Sequence, residues 1–186
     1  MKKIIELIEK NKAEALYSAI FNQKLPGSTG DGTYTQVLSF EEETMLVRKV
    51  LNTNDYEADP WLEILQQYSR IYPLSNQAVQ ELLDNMDNPK AIPLLLSILS
   101  AFGYNEAQGI ALCKYVLQHL QSTHTLKILQ LVYERAHFLS PEIHRLLENI
   151  DCRMQEVGYI EQAKFTESYC QAIENYRKID KVNAGI

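Results

Sequence analysis

The sequence predicts an all-α protein, a short α-solenoid in which about nine helices stack as antiparallel hairpins. Three observations carry that expectation. The stretch Trp61-Leu-Glu-Ile-Leu-Gln-Gln-Tyr68, continued by Tyr72-Pro-Leu-Ser75 and Leu82-Leu-Asp-Asn85, has a second copy about 64 residues later. That copy reads Thr125-Leu-Lys-Ile-Leu-Gln-Leu-Val132, Phe138-Leu-Ser140 and Leu146-Leu-Glu-Asn149, with one residue of slippage between Ser75 and Ser140. Two short apolar-striped helices cannot cover their own apolar face, so a repeated pair implies stacking. Helix starts are also well marked. Ser39-Phe-Glu-Glu42 has the form of a capping box, and Asp59-Pro60, Asn88-Pro89 and Ser140-Pro141 each set an N-cap residue before a proline suited to the first helical position. Finally, seven Gly and six Pro in 186 residues are too few for a disordered chain or a turn-rich β fold.

One helical-repeat domain is expected over residues 1–186. Its N-terminal helix, 1–22, sets Ile4, Ile5, Ile8, Leu16, Ala19 and Ile20 on one side and Glu and Lys on the other. A loop follows over 23–38, because Pro26 and three glycines in Leu25-Pro-Gly-Ser-Thr-Gly-Asp-Gly32 end the helix. Thr33-Tyr-Thr-Gln-Val-Leu38 has strand-like composition, but an isolated strand lacks a partner in a helical protein, so extended loop is expected. The repeats fill 39–157, with helices near 40–54, 60–72, 75–86, 89–102, 105–121, 124–138 and 141–156. Pro93 lies inside the 89–102 segment, which should therefore start later or bend there. Connections this short make neighbouring helices antiparallel. After Gly158 a C-terminal capping helix, 160–180, carries Phe165, Tyr169, Ala172, Ile173, Tyr176 and Ile179 on one face. The two copies further predict shared burial of Leu62, Ile64, Leu65, Leu82 and Leu83 with Leu126, Ile128, Leu129, Leu146 and Leu147.

Paired, these helices give units beginning near 40, 75, 105 and 140, each roughly 30 to 35 residues long. The unit resembles a degenerate HEAT- or armadillo-type repeat of shortened period. It lacks the signature spacings of tetratricopeptide repeats and the Thr-Pro-Leu-His of ankyrin repeats. Tyr72-Pro-Leu-Ser-Asn-Gln-Ala78, followed by Leu82, Leu83 and Asn88, is also similar to a bacterial helical repeat of unassigned role, in which a Tyr-Pro-Leu turn precedes an Ala- and Leu-bearing helix. The likeness covers residues 60–150. The second copy has His137-Phe138 where the first has Tyr72-Pro73, and no functional residue carries over.

A formal net charge of −6 disfavours a nucleic-acid partner, whose phosphates draw on Lys and Arg. Cys113, Cys152 and Cys170 are an odd number without paired spacing, which fits a reducing compartment. The opening Met1-Lys-Lys-Ile-Ile resembles a signal peptide for five residues, but Glu6, Glu9 and Lys10 interrupt it, and no apolar run is long enough to cross a membrane. The expected location is therefore cytoplasmic, with no membrane partner.

Candidate chemistry is sparse. The loop Gly27-Ser-Thr-Gly-Asp-Gly32 resembles an anion cradle, but Lys24 precedes the glycines and a helix stands where a nucleotide-binding loop needs a strand. It reads as a connector, the least ordered internal part of the chain. His137, His144, Glu148 and Cys152 are the densest set of metal-ligand types, yet they lack paired-ligand spacing, and His144 with Glu148 at i, i+4 reads as a surface contact. Cys113 lies among Ile110, Ala111, Leu112 and Val116 like a structural thiol, and Glu41, Glu42 and Glu43 suit the positive end of a helix. Eleven Tyr against five Phe is a bias toward aromatics with one wet end, which suits interfaces. Trp61, Tyr68 and Tyr72 share a face of one helix, and Tyr169 and Tyr176 share a face of the last. These five are the candidate partner-binding residues, with inter-repeat packing as the competing role.

The expectation is a non-catalytic protein–protein interaction module, not an enzyme, with no cofactor, no metal and a protein or peptide partner. Within the same class stand a bacterial immunity protein that blocks a toxin and a chaperone for a secreted protein. The alternative of another class is a metal-dependent enzyme using His137, His144, Glu148 and Cys152.

Overall fold

The structure is a computed structural model, and it describes residues 2–21, 23–24, 33–34, 37–54, 59–134 and 140–156. Those residues form nine helices: α1 (Lys2–Glu9), α2 (Ala13–Phe21), α3 (Phe40–Asn52), α4 (Pro60–Ile71), α5 (Asn76–Asp84), α6 (Ala91–Phe102), α7 (Glu106–Gln118), α8 (Thr125–Glu134) and α9 (Pro141–Glu156). The fold is all-α, built of stacked helical hairpins. The expected capping helix 160–180, the loop 26–32 and His137 lie outside the described residues.

The chain divides into two compact units, 1–101 and 102–186. In the first, α3 packs against α1, α4 and α5, while α2 packs against α1 and α4. In the second, α7 packs against both α8 and α9. The buried side of each helix is the stripe its sequence spells out: Leu46, Val47 and Val50 on α3, Trp61, Ile64, Leu65 and Tyr68 on α4, Leu112, Cys113 and Val116 on α7.

The two copies of the repeat bury matching positions. Ile64 and Ile128, Leu65 and Leu129, Leu82 and Leu146, and Leu83 and Leu147 are all buried, while Leu62 and Leu126 are both intermediate. Their second helices also begin alike. Ser75 Oγ accepts from Ala78 N–H at 3.3 Å and Ser140 Oγ from Ile143 N–H at 3.4 Å. The one-residue slippage is absorbed between this cap and the Leu-Leu pair.

The capping box at Ser39 forms as its sequence requires. Its Oγ accepts from Glu42 N–H, and its own N–H donates to Glu42 Oε2 at 2.8 Å. Asp59 caps α4 through Trp61 N–H, with Pro60 in the first turn. Asn88 behaves differently. Its Oδ1 accepts from Lys90 N–H and its Nδ2 donates to Leu51 O, so Pro89 sits in a turn and α6 starts later, at Ala91. Pro93 then falls in the first turn of α6, where a missing N–H leaves no helical bond unmade.

Two sequence expectations need correction. The single helix over 1–22 is two helices. Asn11 takes the left-handed region at φ 56°, Asn11 N–H reaches Ile8 O and Lys12 N–H reaches Leu7 O, which together make a Schellman closure of α1. Asn is among the few residues besides Gly that visit that region. The strand-like stretch does have a partner: Thr33–Tyr34 pairs antiparallel with Gln23–Lys24, in register Gln23 to Tyr34 and Lys24 to Thr33. The pairing is two residues long, so it adds a clasp to a helical fold without making a sheet layer.

Candidate interaction surface

Helix α4 carries Trp61 and Tyr68 of the five candidate aromatics, and Tyr72 is its C-cap residue. Trp61 and Tyr68 belong to the same 3.6-period stripe as Ile64 and Leu65, and that stripe faces inward. Trp61 is 3% exposed, with Lys49 Nζ 5.3 Å from its ring centroid, and Tyr68 is fully buried. Tyr72 is half-buried, its ring tilted against that of Tyr68 at 5.5 Å. A buried ring offers a partner no area, so Trp61 and Tyr68 serve packing, and Tyr72 alone of the three reaches the surface. Tyr169 and Tyr176 lie outside the described residues. The spacing that put Trp61 and Tyr68 on one face also put them with Ile64 and Leu65, and that signal was readable.

Tyr68 holds a polar knot together. Its hydroxyl donates to Glu43 Oε1 at 3.0 Å and accepts from Leu38 N–H at 3.0 Å, while Glu43 Oε2 accepts from Ser75 N–H at 2.8 Å. The approach to α3, the last turn of α4 and the cap of α5 are thereby tied at one end of the unit. Burial, reinforced by the Glu43 carboxylate and opposed by the Leu38 N–H, pushes the Tyr68 phenol well above its ordinary value. Beside it, Glu42 is buried, and its Oε1 has no hydrogen-bond partner.

Large apolar side chains are exposed at this same end. Phe40 is 68% exposed, Val37 61% and Ile71 48%. Phe40 lies one turn before Glu43 and two before Val47, and Ile71 lies one turn after Tyr68 and two after Ile64, so each prolongs a buried stripe. They are wet because the stripes of α3 and α4 run on past the residues that cover them. Periodicity alone assigns Phe40 and Ile71 to the core, and Val37 precedes the helix, so no helical phase marks it.

No metal-ligand cluster assembles among the described residues. His144 is half-buried, Glu148 and Cys152 are exposed, and no three of His, Cys, Asp and Glu converge there on a point that could hold a metal. Burial pushes the Cys113 thiol up to about 12, so it stays protonated and unreactive at neutral pH, as suits a structural thiol. His119 closes α7, its N–H shared by Tyr115 O and Val116 O and its ring stacked on Tyr115 at 4.2 Å.

Among the described residues, no helix is long and apolar enough to cross a membrane. Comparison with family models, with curated proteins and with solved structures finds no match.

Proposed function

We propose that the chain is a non-catalytic interaction module that docks a protein partner at the end of the first unit where α3 begins and α4 ends. The observation that carries this reading is the exposure of Phe40, Val37 and Ile71 together at an end tied down by Tyr68 and Glu43. An apolar patch on a preorganised backbone loses little ordering entropy on binding and gains the desolvation of its exposed side chains. Tyr72, half-buried beside it, adds an aromatic with a polar tip. Toxin neutralisation and chaperoning of a secreted protein are both forms of this activity, and an acidic chain suits either.

A photo-crosslinking amino acid placed at Phe40 or Ile71 in the producing cell tests it, with exposed Gln80 on α5 as control. The expected result is one shared adduct from positions 40 and 71, absent from position 80 and lost when Phe40→Asp accompanies the probe at 71. Equal adducts from all three positions, or none from 40 and 71, overturn the reading.

A further inference from the structure

A second feature of the first unit lies on the side of α4 that faces α2. Ala13, Glu14, Tyr17 and Ser18 from α2 and Pro60, Glu63 and Ile64 from α4 enclose an open cleft of about 310 Å³. They fall at 13, 14, 17 and 18 along α2 and at 60, 63 and 64 along α4, the three-and-four spacing that puts each set on one face of its helix. Small side chains at Ala13 and Ser18 leave the gap, Ile64 forms an apolar floor, and Tyr17 walls one side with its ring braced against Phe21 at 4.8 Å. The volume lies at the small end of ligand-binding clefts and fits one long side chain better than a cofactor.

The charge at the cleft decides what fits it. Glu14 and Glu63 are both exposed and neither is engaged by another described side chain. Both stand in the first turn of their helices, where the two helix dipoles each contribute only about half a positive charge. Two full carboxylates against two halves leave the mouth net negative by about one charge. At the start of α4, Pro60 has no N–H, and Asp59 already takes the Trp61 and Glu63 N–H groups, so that end has little left for an anion. Among the described residues no cation lines the cleft. Lys10 pairs with Glu6 at 3.3 Å, Lys49 lies over Trp61, and Lys12 is exposed just before α2 without lining the cleft.

We propose that this cleft receives an arginine side chain from a basic segment of the protein partner, with the guanidinium between Glu14 and Glu63 and its stem along Tyr17 and Ile64. The inference rests on the reading of the chain as an interaction module. Arginine fits better than lysine because its planar, forked head can pair with two carboxylates at once. The apolar stem covers the Ile64 floor, which a small inorganic cation leaves bare.

The test titrates the full-length, isotope-labelled protein with a blocked Gly-Arg-Leu-Arg-Gly peptide and with the same peptide bearing citrulline, which keeps the shape of arginine and removes its charge. Expected are amide shifts confined to Glu14–Ser18 and Trp61–Ile64, binding weakened about fivefold by citrulline or by Glu14→Gln with Glu63→Gln, and a further loss in high salt. Phe40→Asp leaves the titration unchanged. Shifts scattered over the acidic surface, or equal binding of the citrulline peptide, overturn the proposal without requiring any variant to fold. If positions 40 and 71 still crosslink a partner while the cleft stays silent, the cleft assignment fails alone; if no partner is crosslinked, the module reading fails as well.

Discussion

The hydroxyl of Tyr68 donates to Glu43 Oε1 across 3.0 Å in the interior of the first unit, where both residues are buried. Tyr68→Phe strips Glu43 Oε1 of its donor and Leu38 N–H of its acceptor, and leaving buried polar groups unpaired costs about 1–3 kcal/mol. The same contact has an alkaline signature. Because the folded-state phenol is raised above its unfolded value, its contribution is fully present below about pH 10 and is lost as pH rises from there toward the folded value. Denaturant midpoints measured across alkaline pH should fall more steeply for the parent than for Tyr68→Phe. Parallel slopes would remove Tyr68 as a buried phenol.

Lys90 donates from Nζ to Asp59 Oδ2 at 2.7 Å, to Thr53 O at 2.6 Å and to Val50 O at 3.1 Å, with side chains 3% and 0% exposed for the ion pair. A buried ammonium thus satisfies the carbonyl end of α3 while the carboxylate caps α4. Lys90→Met leaves the Asp59 charge buried and alone and should cost about 3–5 kcal/mol. Adding Asp59→Asn should recover part of that loss, since the amide oxygen still accepts from Trp61 N–H. An additive double mutant in chemical denaturation would show that the two residues act separately.

Gly109 sits on α7 where a β-carbon would lie 2.8 Å from Tyr104 Cε2 and 2.9 Å from Ile143 Cδ1. Ile143 can yield at its tip, but the Tyr104 ring is held by its hydroxyl, which donates to Val132 O at 2.7 Å. Gly109→Ala should therefore destabilise by about 1–3 kcal/mol through overpacking, against a gain in helix propensity of about 1 kcal/mol. Tyr104→Phe frees the ring and should make the alanine less costly. A more stable Gly109→Ala protein would mean that α7 and α9 are not so closely packed.

Leu65 and Leu129 occupy the same place in the two copies, and both are fully buried. Truncating either to Ala should cost about 2–5 kcal/mol. Leu62→Ala and Leu126→Ala, at half-buried positions, should cost less than their neighbours. Thermal unfolding of the four variants checks the equivalence, and a large loss at one leucine beside none at its counterpart would break the repeat alignment.

What was legible in the chain was what closes over short distances. The Ser39 box reaches three residues, the Asp59 cap reaches two, and a helical stripe repeats within one or two turns, so starts and inward faces follow from local chemistry. The repeat, too, was visible because equal sequence at equal phase leads to equal burial. The candidate surface was legible only in part. Periodicity names a face of a helix but not where along that face the cover ends. Phe40 and Ile71 have core phase and stand in water, while Trp61 and Tyr68 have interface chemistry and stand in the core.

Tertiary structure alone decided those positions, because exposure at the end of a stripe depends on the length and placement of the neighbouring helices. It also decided that Lys90 would be buried, since its three acceptors come from residues 31 to 40 positions away. Thr33–Tyr34 found a partner on the far side of a loop in the same way. By itself the sequence determined an all-α chain of capped, striped and repeated helices. Which side chains remain outside to meet a partner was set by how those helices overlap, a contact property that no single segment encodes.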